Sequence, residues 1–366
     1  MTAPQMKPWI AAISPYVPGR ANADDGRPVI KLSANENPLG SSATARGAFA
    51  SAAESLETYP DPTAAALRET LAKAYALDPA RIIYGTGSDE ILTCAAQVFA
   101  GAGDEILFPA YSFSAYPIAT RRAGATPVEA PTYDLGCDVD ALLAAVTERT
   151  RVVFLANPNN PTGTFIPREE VARLHAGLPA DVLFVLDQAY AEYLEDHEDD
   201  GGLDLARAHA NVLVTRTFSK IHGLAAERIG WGYGSADVVN ALHRIRMPFC
   251  LTTGGQRAAV AAVEDAGWVE SSRDHNRRFR RWFEQEIASL GNAGLRSVPS
   301  KANFSLVLFE GKLSAETAYN GLMARGYATR WLPNQGLAHG LRITIGQEAH
   351  MRDIVDALRE MVAHAR

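Results

Sequence analysis

Six short apolar runs, most of them separated by helix-like stretches, set the architecture open to this chain. They are Arg81–Tyr84, Glu105–Phe108, Val152–Leu155, Val182–Leu186, Val212–Thr215 and Ile229–Tyr233. Between the first two, Ile91, Leu92, Ala95, Val98 and Phe99 recur at helical spacing. Such alternation predicts an α/β fold: a mostly parallel sheet covered by helices on both faces. Further helices are expected over 237–246, 255–265 and 268–290. After Leu290 the pattern changes to strands at 304–309, 328–332 and 341–345 interleaved with helices at 314–325 and 348–365, a smaller α+β unit. Residues 1–40 are rich in Pro, Gly, Asn and Ser and read as an arm. The 366 residues suit two domains. The expected division is an arm over 1–40, a large domain over 41–258, and a small C-terminal domain over 259–366 that includes a bridging helix.

Charge and cysteine usage exclude several classes of partner. A formal net charge of −7 argues against nucleic acid or an anionic membrane as the main partner. No apolar run reaches membrane-spanning length, and three cysteines without close spacing suggest neither a disulfide framework nor a zinc site. A reducing cytoplasm is the expected compartment. The acidic stretch 192–204 reads as a solvated loop, and the basic stretch 273–281 as the polar face of a long helix.

The residues that carry chemistry fall where predicted strands stop. Gly85-Thr86-Gly87-Ser88 lies between a strand and a helix. Glycines there let backbone N–H groups approach a phosphate, although Ser88 and Asp89 are also ordinary helix caps. Tyr111 follows the next run, where an aromatic either covers a flat ring or packs in the core. Asn157-Pro158-Asn159-Asn160-Pro161-Thr162-Gly163 is more specific, and it presents the amide of Asn157 at a strand end. Asp187 closes a strongly apolar run, so its carboxylate needs a positive partner or caps the next helix. Lys220 sits among Ser219, Gly223 and Arg228; Ser219 and Arg228 suit a phosphate, Arg as a charged fork. A lysine, a carboxylate, an amide and the phenol of Tyr190 at strand ends are what a pyridoxal 5'-phosphate site needs. The carboxylate keeps a proton on the ring nitrogen, and the lysine binds the cofactor aldehyde and then moves a proton.

These segments resemble fold-type-I pyridoxal-phosphate enzymes, and within them the histidinol-phosphate aminotransferases. The subfamily cues are Pro15-Tyr16-Val17-Pro18-Gly19, Asn35-Glu36-Asn37-Pro38-Leu39-Gly40, Tyr59-Pro60-Asp61-Pro62, Gly85 to Glu90 and Leu341 to Gly346. The resemblance implies that Gly87, Ser88, Ser219 and Arg228 hold the cofactor phosphate, that Asp89 also belongs to the cofactor site, that Tyr111 stacks on the ring, and that Asn157 and Tyr190 bond its phenolate oxygen. It implies a homodimer in which Tyr59 reaches the neighbouring cofactor. Tyr16, Asn37, Arg330 and Arg342 would bind substrate, with Arg330 distinguishing a phosphate from an α-carboxylate. The implied reaction is L-histidinol phosphate with 2-oxoglutarate, giving imidazole-acetol phosphate and L-glutamate in histidine biosynthesis. Aromatic amino acid transamination and threonine-phosphate decarboxylation are the alternatives within the fold. A DNA-binding regulator is disfavoured because only about 40 residues precede the large domain, with no helix-turn-helix pattern, and the chain as a whole is acidic. Two positions depart from the family pattern: Gln188 where Glu is frequent, and Glu227 beside Arg228.

Overall fold

The structure, a computed structural model, describes residues 4–13 and 26–365. Seven strands form the main sheet: β1 (Ile82–Thr86), β2 (Glu105–Pro109), β3 (Thr126–Ala130), β4 (Thr150–Ala156), β5 (Leu183–Asp187), β6 (Val212–Thr217) and β7 (Ile229–Tyr233). Their spatial order is β1-β7-β6-β5-β4-β2-β3. Every pairing is parallel except those of β7, which runs antiparallel to both β1 and β6. The central strand β5 is buried along its length, and its side chains alternate between two cores. Phe184 and Leu186 join one, Leu183 and Val185 the other. That is why the run reads as continuously apolar rather than alternating. The sequence gives no warning of β3, where only Val128 is strongly apolar and Pro127 interrupts the ladder. An edge strand tolerates both, because one side makes no sheet bonds.

The reversal of β7 brings its start against helix α1 (Ser88–Phe99), and this fixes the residue at position 230. A Cβ on Gly230 would lie 2.1 Å from the Ser88 backbone nitrogen, so only glycine lets strand and helix terminus touch. Helix α2 (Ala115–Ala123) packs against α1. Helix α3 (Thr253–Glu264) leads into the 23-residue α4 (Ala266–Ala288). Val269, early in α4, packs beside Tyr190, Ile221 and Phe304, whereas Phe279, Phe283 and Ile287 enter a separate core.

That second core belongs to a four-stranded antiparallel sheet of β8 (Leu295–Val298), β9 (Phe304–Phe309), β10 (Arg330–Leu332) and β11 (Leu337–Thr344), in the order β8-β9-β11-β10. The amphipathic helix α5 (Glu348–His364) covers it with Ile354, Leu358 and Val362. The arm joins this unit: Ile30 and Lys31 pair with Tyr327 and Ala328, and Leu32 enters the core.

The acidic stretch is not the solvated loop that its composition predicts. Glu195 pairs with Arg277 (2.9 Å) and Arg281 (2.7 Å), and Asp196 with Arg273 (3.2 Å). The basic face of α4 is therefore the partner of the acidic loop, and opposite charges cluster where the two units meet. Among the described residues no helix is long and apolar enough to cross a membrane.

Gly230→Ala should cost about 3 kcal/mol in denaturant unfolding, because the added methyl meets backbone that cannot turn aside. Gly267→Ala, whose added carbon would touch only Asp265 at 3.9 Å, should stay within about 0.5 kcal/mol of the parent.

Candidate active site

One cavity lies at the C-terminal ends of β4, β5 and β6, where open α/β sheets bind ligands. Its anion-attracting end is built by α1. Gly87 caps that helix at φ 76°, and Ser88 and Asp89 open its first turn, so free N–H groups and the positive end of the helix dipole face the cavity. Arg228, itself at φ 54°, adds its guanidinium: Nη1 donates to Ser219 Oγ (3.2 Å) and to the Ala225 carbonyl (3.1 Å). Nη2 lies 3.4 Å from Asp89 Oδ2, so the Asp89 carboxylate is its counterion here. The positive φ at Gly87 is what calls for glycine, and a Cβ there would in addition approach the Arg228 Nη2 to 2.7 Å. The Glu227 carboxylate does not face this end; it lies against Gly255 in the first turn of α3, where a helix dipole favours it.

Asp187 forms the opposite end. Only 3% of it is exposed, and each carboxylate oxygen accepts one hydroxyl: Oδ1 from Thr215 (3.0 Å), Oδ2 from Tyr116 (3.1 Å). Burial pushes its pKa up to about 6, against the downward pull of the two hydroxyls. Lys220 lies between the two ends. Burial brings its amine down to about 8, assisted by Arg342 and Arg228, and Nζ donates to the Ala34 carbonyl at 3.2 Å. Tyr190 lines the same space and accepts from Asn35 Nδ2 at 2.9 Å; burial raises its phenol to about 12, so it stays protonated.

Four expected residues stand elsewhere. Asn157 turns its side chain onto the backbone of Ile166, accepting from its N–H and donating to its carbonyl, both at 2.9 Å, and it does not line the cavity. Asn160, three residues on, does. Tyr111 lies at φ 52°, which swings its ring towards Leu332, Leu337 and Val298; the aromatic at the cavity is Phe113. Asn37 is spent on structure, donating to the Ile221 carbonyl (2.7 Å) and Ser272 Oγ (2.9 Å) and so anchoring the turn after Lys220. Tyr59 is 79% exposed and stacks on Phe249 at 4.8 Å, away from its own chain's cavity. Tyr16 lies outside the described residues. No local pattern signals Tyr116, an aromatic whose hydroxyl matters only because α2 aims it at Asp187.

A second chamber opens from the first, sharing Phe113, Asn160 and Lys220 with it. Arg330 and Arg342 line it and sit directly opposite each other on β10 and β11. Arg342 donates to Asn160 Oδ1 at 2.5 Å and to the Ser33 carbonyl, and stands 5.3 Å above the Phe304 ring. Gln188, the departure beside Asp187, points away: it donates to Asp200 and accepts from Arg216 Nε at 2.8 Å, neutral between a buried anion and a partly buried cation.

A strand-end lysine, a buried carboxylate on the neighbouring strand and a helix N-terminus with arginine are the groups that a pyridoxal-phosphate enzyme of this fold requires. Residues 27–358 match the family model for aminotransferase class I and II. A histidinol-phosphate aminotransferase of Zymomonas mobilis is 60% identical over 365 residues, covering 99% of both chains. One of Sphingopyxis alaskensis is 62% identical, covering 98% of this chain and 97% of its own. The crystal structure of histidinol-phosphate aminotransferase from Sinorhizobium meliloti in complex with pyridoxal-5'-phosphate superposes with a TM-score of 0.91 at 28% identity, covering 100% of this chain and 99% of that one. The chain belongs to the class I and II aminotransferases and, within them, to the histidinol-phosphate aminotransferase family.

The burial of Asp187 has a measurable consequence for the ligand-free protein. Between about pH 4 and pH 6 the folded state holds a proton that the unfolded chain has released, so stability falls as pH rises through that window and the cost persists above it. Asp187→Asn should therefore raise the unfolding free energy at pH 7.5 by roughly 2 kcal/mol, with the gain vanishing towards pH 4.

Proposed function

We propose that this chain is a pyridoxal-phosphate-dependent aminotransferase of histidine biosynthesis. It converts L-histidinol phosphate and 2-oxoglutarate into imidazole-acetol phosphate and L-glutamate. The observation that carries the substrate assignment is the facing pair Arg330 and Arg342 in a chamber that shares Lys220 with the first. Two guanidinium groups from adjacent strands suit a phosphate dianion better than one arginine would.

The residues present fit the cofactor. Its phosphate would be held by the first turn of α1, Ser219 and Arg228, and its ring covered by Phe113. Asn160 and Tyr190 would bond its phenolate oxygen. Asp187, a buried carboxylate whose own contacts are neutral hydroxyls, would take a protonated ring nitrogen as its positive partner. When bound, the cofactor supplies an electron sink for the pair left at the substrate α-carbon. The rest is done by the chain. Asp187 keeps the sink effective by holding the proton at the ring nitrogen. Lys220, whose amine lies near 8, is uncharged in a usable fraction at neutral pH and moves the proton at the α-carbon through Nζ. Arg330 and Arg342 orient the substrate by its anionic end, which fixes the C–H bond that is broken. Arg342 also serves the carboxylate of the second substrate, so one site admits both molecules in turn.

A cytoplasmic homodimer completes the reading; the large and small domains divide within α4 rather than at 258/259, which falls inside α3, whose Ala258, Ala259 and Ala262 all join the large-domain core. Tyr59, Leu56 and Met247 stand largely exposed, and the first of them stacks on Phe249, apolar surface that a second copy would cover. Tyr59 would then reach the neighbouring cofactor phosphate.

Lys220→Ala should abolish the adduct fixed by borohydride reduction, read by mass spectrometry of the peptide; an adduct retained on another lysine would sink the assignment. Arg330→Ala should raise KM for histidinol phosphate by about tenfold or more while changing phenylalanine turnover much less. Equal losses would mean that Arg330 does not read the phosphate. A half-reaction assay with histidinol phosphate, threonine phosphate and aromatic amino acids distinguishes the alternative activities.

A further inference from the structure

The carboxylate of Asp187 is held by two hydroxyls of different origin. Thr215 is its registered neighbour on β6, so that contact follows from the sheet itself. Tyr116 comes from α2, outside the sheet, and its placement has no explanation in the ladder. The ring is fully buried, stacked on Phe154 at 4.8 Å and 16°, with Phe113 edge-on at 5.8 Å. Its hydroxyl has Asp187 Oδ2 as acceptor at 3.1 Å. A phenol buried this deeply beside a carboxylate is a fixed donor: burial and Asp187 both drive its own ionisation far above the usual range.

We infer that Tyr116 is a positioning residue for the cofactor ring, holding Asp187 ionised and aimed at the ring nitrogen while the same helix start sets Phe113 over the ring face. The inference rests on the pyridoxal-phosphate reading and adds a residue to it. Four groups besides Thr215 bear on Asp187: Tyr116 from α2, Asp89 from α1, Tyr190 after β5 and Lys220 after β6. Asp89 opposes ionisation of Asp187, Lys220 favours it, and Thr215 and Tyr116 stabilise the ionised form by hydrogen bonding. Removing the Tyr116 hydroxyl leaves burial less opposed, so Asp187 takes up a proton at higher pH, and a protonated acid no longer partners a protonated ring nitrogen.

The test is cofactor affinity of the apoprotein, read by fluorescence quenching with pyridoxal phosphate between pH 6 and 8.5. Tyr116→Phe keeps the ring and removes only the hydroxyl. Its affinity should fall about threefold at pH 6.5 and return to that of the parent by pH 8.5, as an upward shift of about one pH unit in the acid limb requires. Thr215→Val, which removes the donor to the other oxygen, should show the same pattern. With 1-deaza-pyridoxal phosphate, whose ring carries C–H in place of nitrogen, Tyr116→Phe should bind no more weakly than the parent. An affinity loss independent of pH, an equal loss with the deaza analogue, or no loss at all overturns the inference. Failure of the parent apoprotein to bind pyridoxal phosphate would instead overturn the functional reading on which it rests.

Discussion

The carboxylate of Asp187 sits at the end of the central strand, out of water, and much of the surrounding architecture answers the need to keep it charged. Burying an unpaired carboxylate is costly, and the group would otherwise neutralise. Strand β6 supplies Thr215 in register, α2 supplies Tyr116 from outside the sheet, and the cavity face is left open for a cationic partner. A carboxylate answered only by neutral donors destabilises the empty fold and stabilises the loaded one. Stability of the free chain is thereby exchanged for affinity at one atom.

The opposite end of the cavity follows the same logic with the sign reversed. Helix α1 points its unpaired N–H groups into the space, Arg228 adds a full positive charge, and Asp89 offsets part of it. Gly87 and Gly230 are the residues that let backbone and guanidinium come this close. Lys220 lies between a positive and a negative region, and its lowered basicity reflects burial and the arginines around it. Further out, the paired arginines of β10 and β11 bring the small sheet into the site, and the charge cluster between α4 and the 192–204 loop fastens that sheet's long helix to the large unit.

Part of this was legible in the residues. Lys220, Asp187, Tyr190, Ser219 and Arg228 all line the cavity, because strand ends in such a sheet converge and the apolar runs mark where strands end. The misplaced residues share one cause, side-chain direction. Asn157 and Asn160 are three apart in one loop, and spacing cannot tell which amide the loop spends on its own backbone; the bonds to Ile166 do. Tyr111 and Phe113 are two apart, and the left-handed backbone at Tyr111 decides which ring faces the cavity. The acidic and basic stretches each read as solvated faces because neither contains the information that the other is opposite.

By itself the sequence determined most of the strands and helices, though not the edge strands β3 and β8, together with the chemistry available at the strand ends and the family to which the chain belongs, since these depend on local periodicity and on residue type. Tertiary structure alone decided which of two neighbouring asparagines and aromatics faces the cavity, that Tyr116 reaches Asp187 from another element, and that Arg330 and Arg342 stand opposite each other. Those outcomes depend on backbone dihedrals and on contacts between segments distant in the chain, which no local pattern encodes.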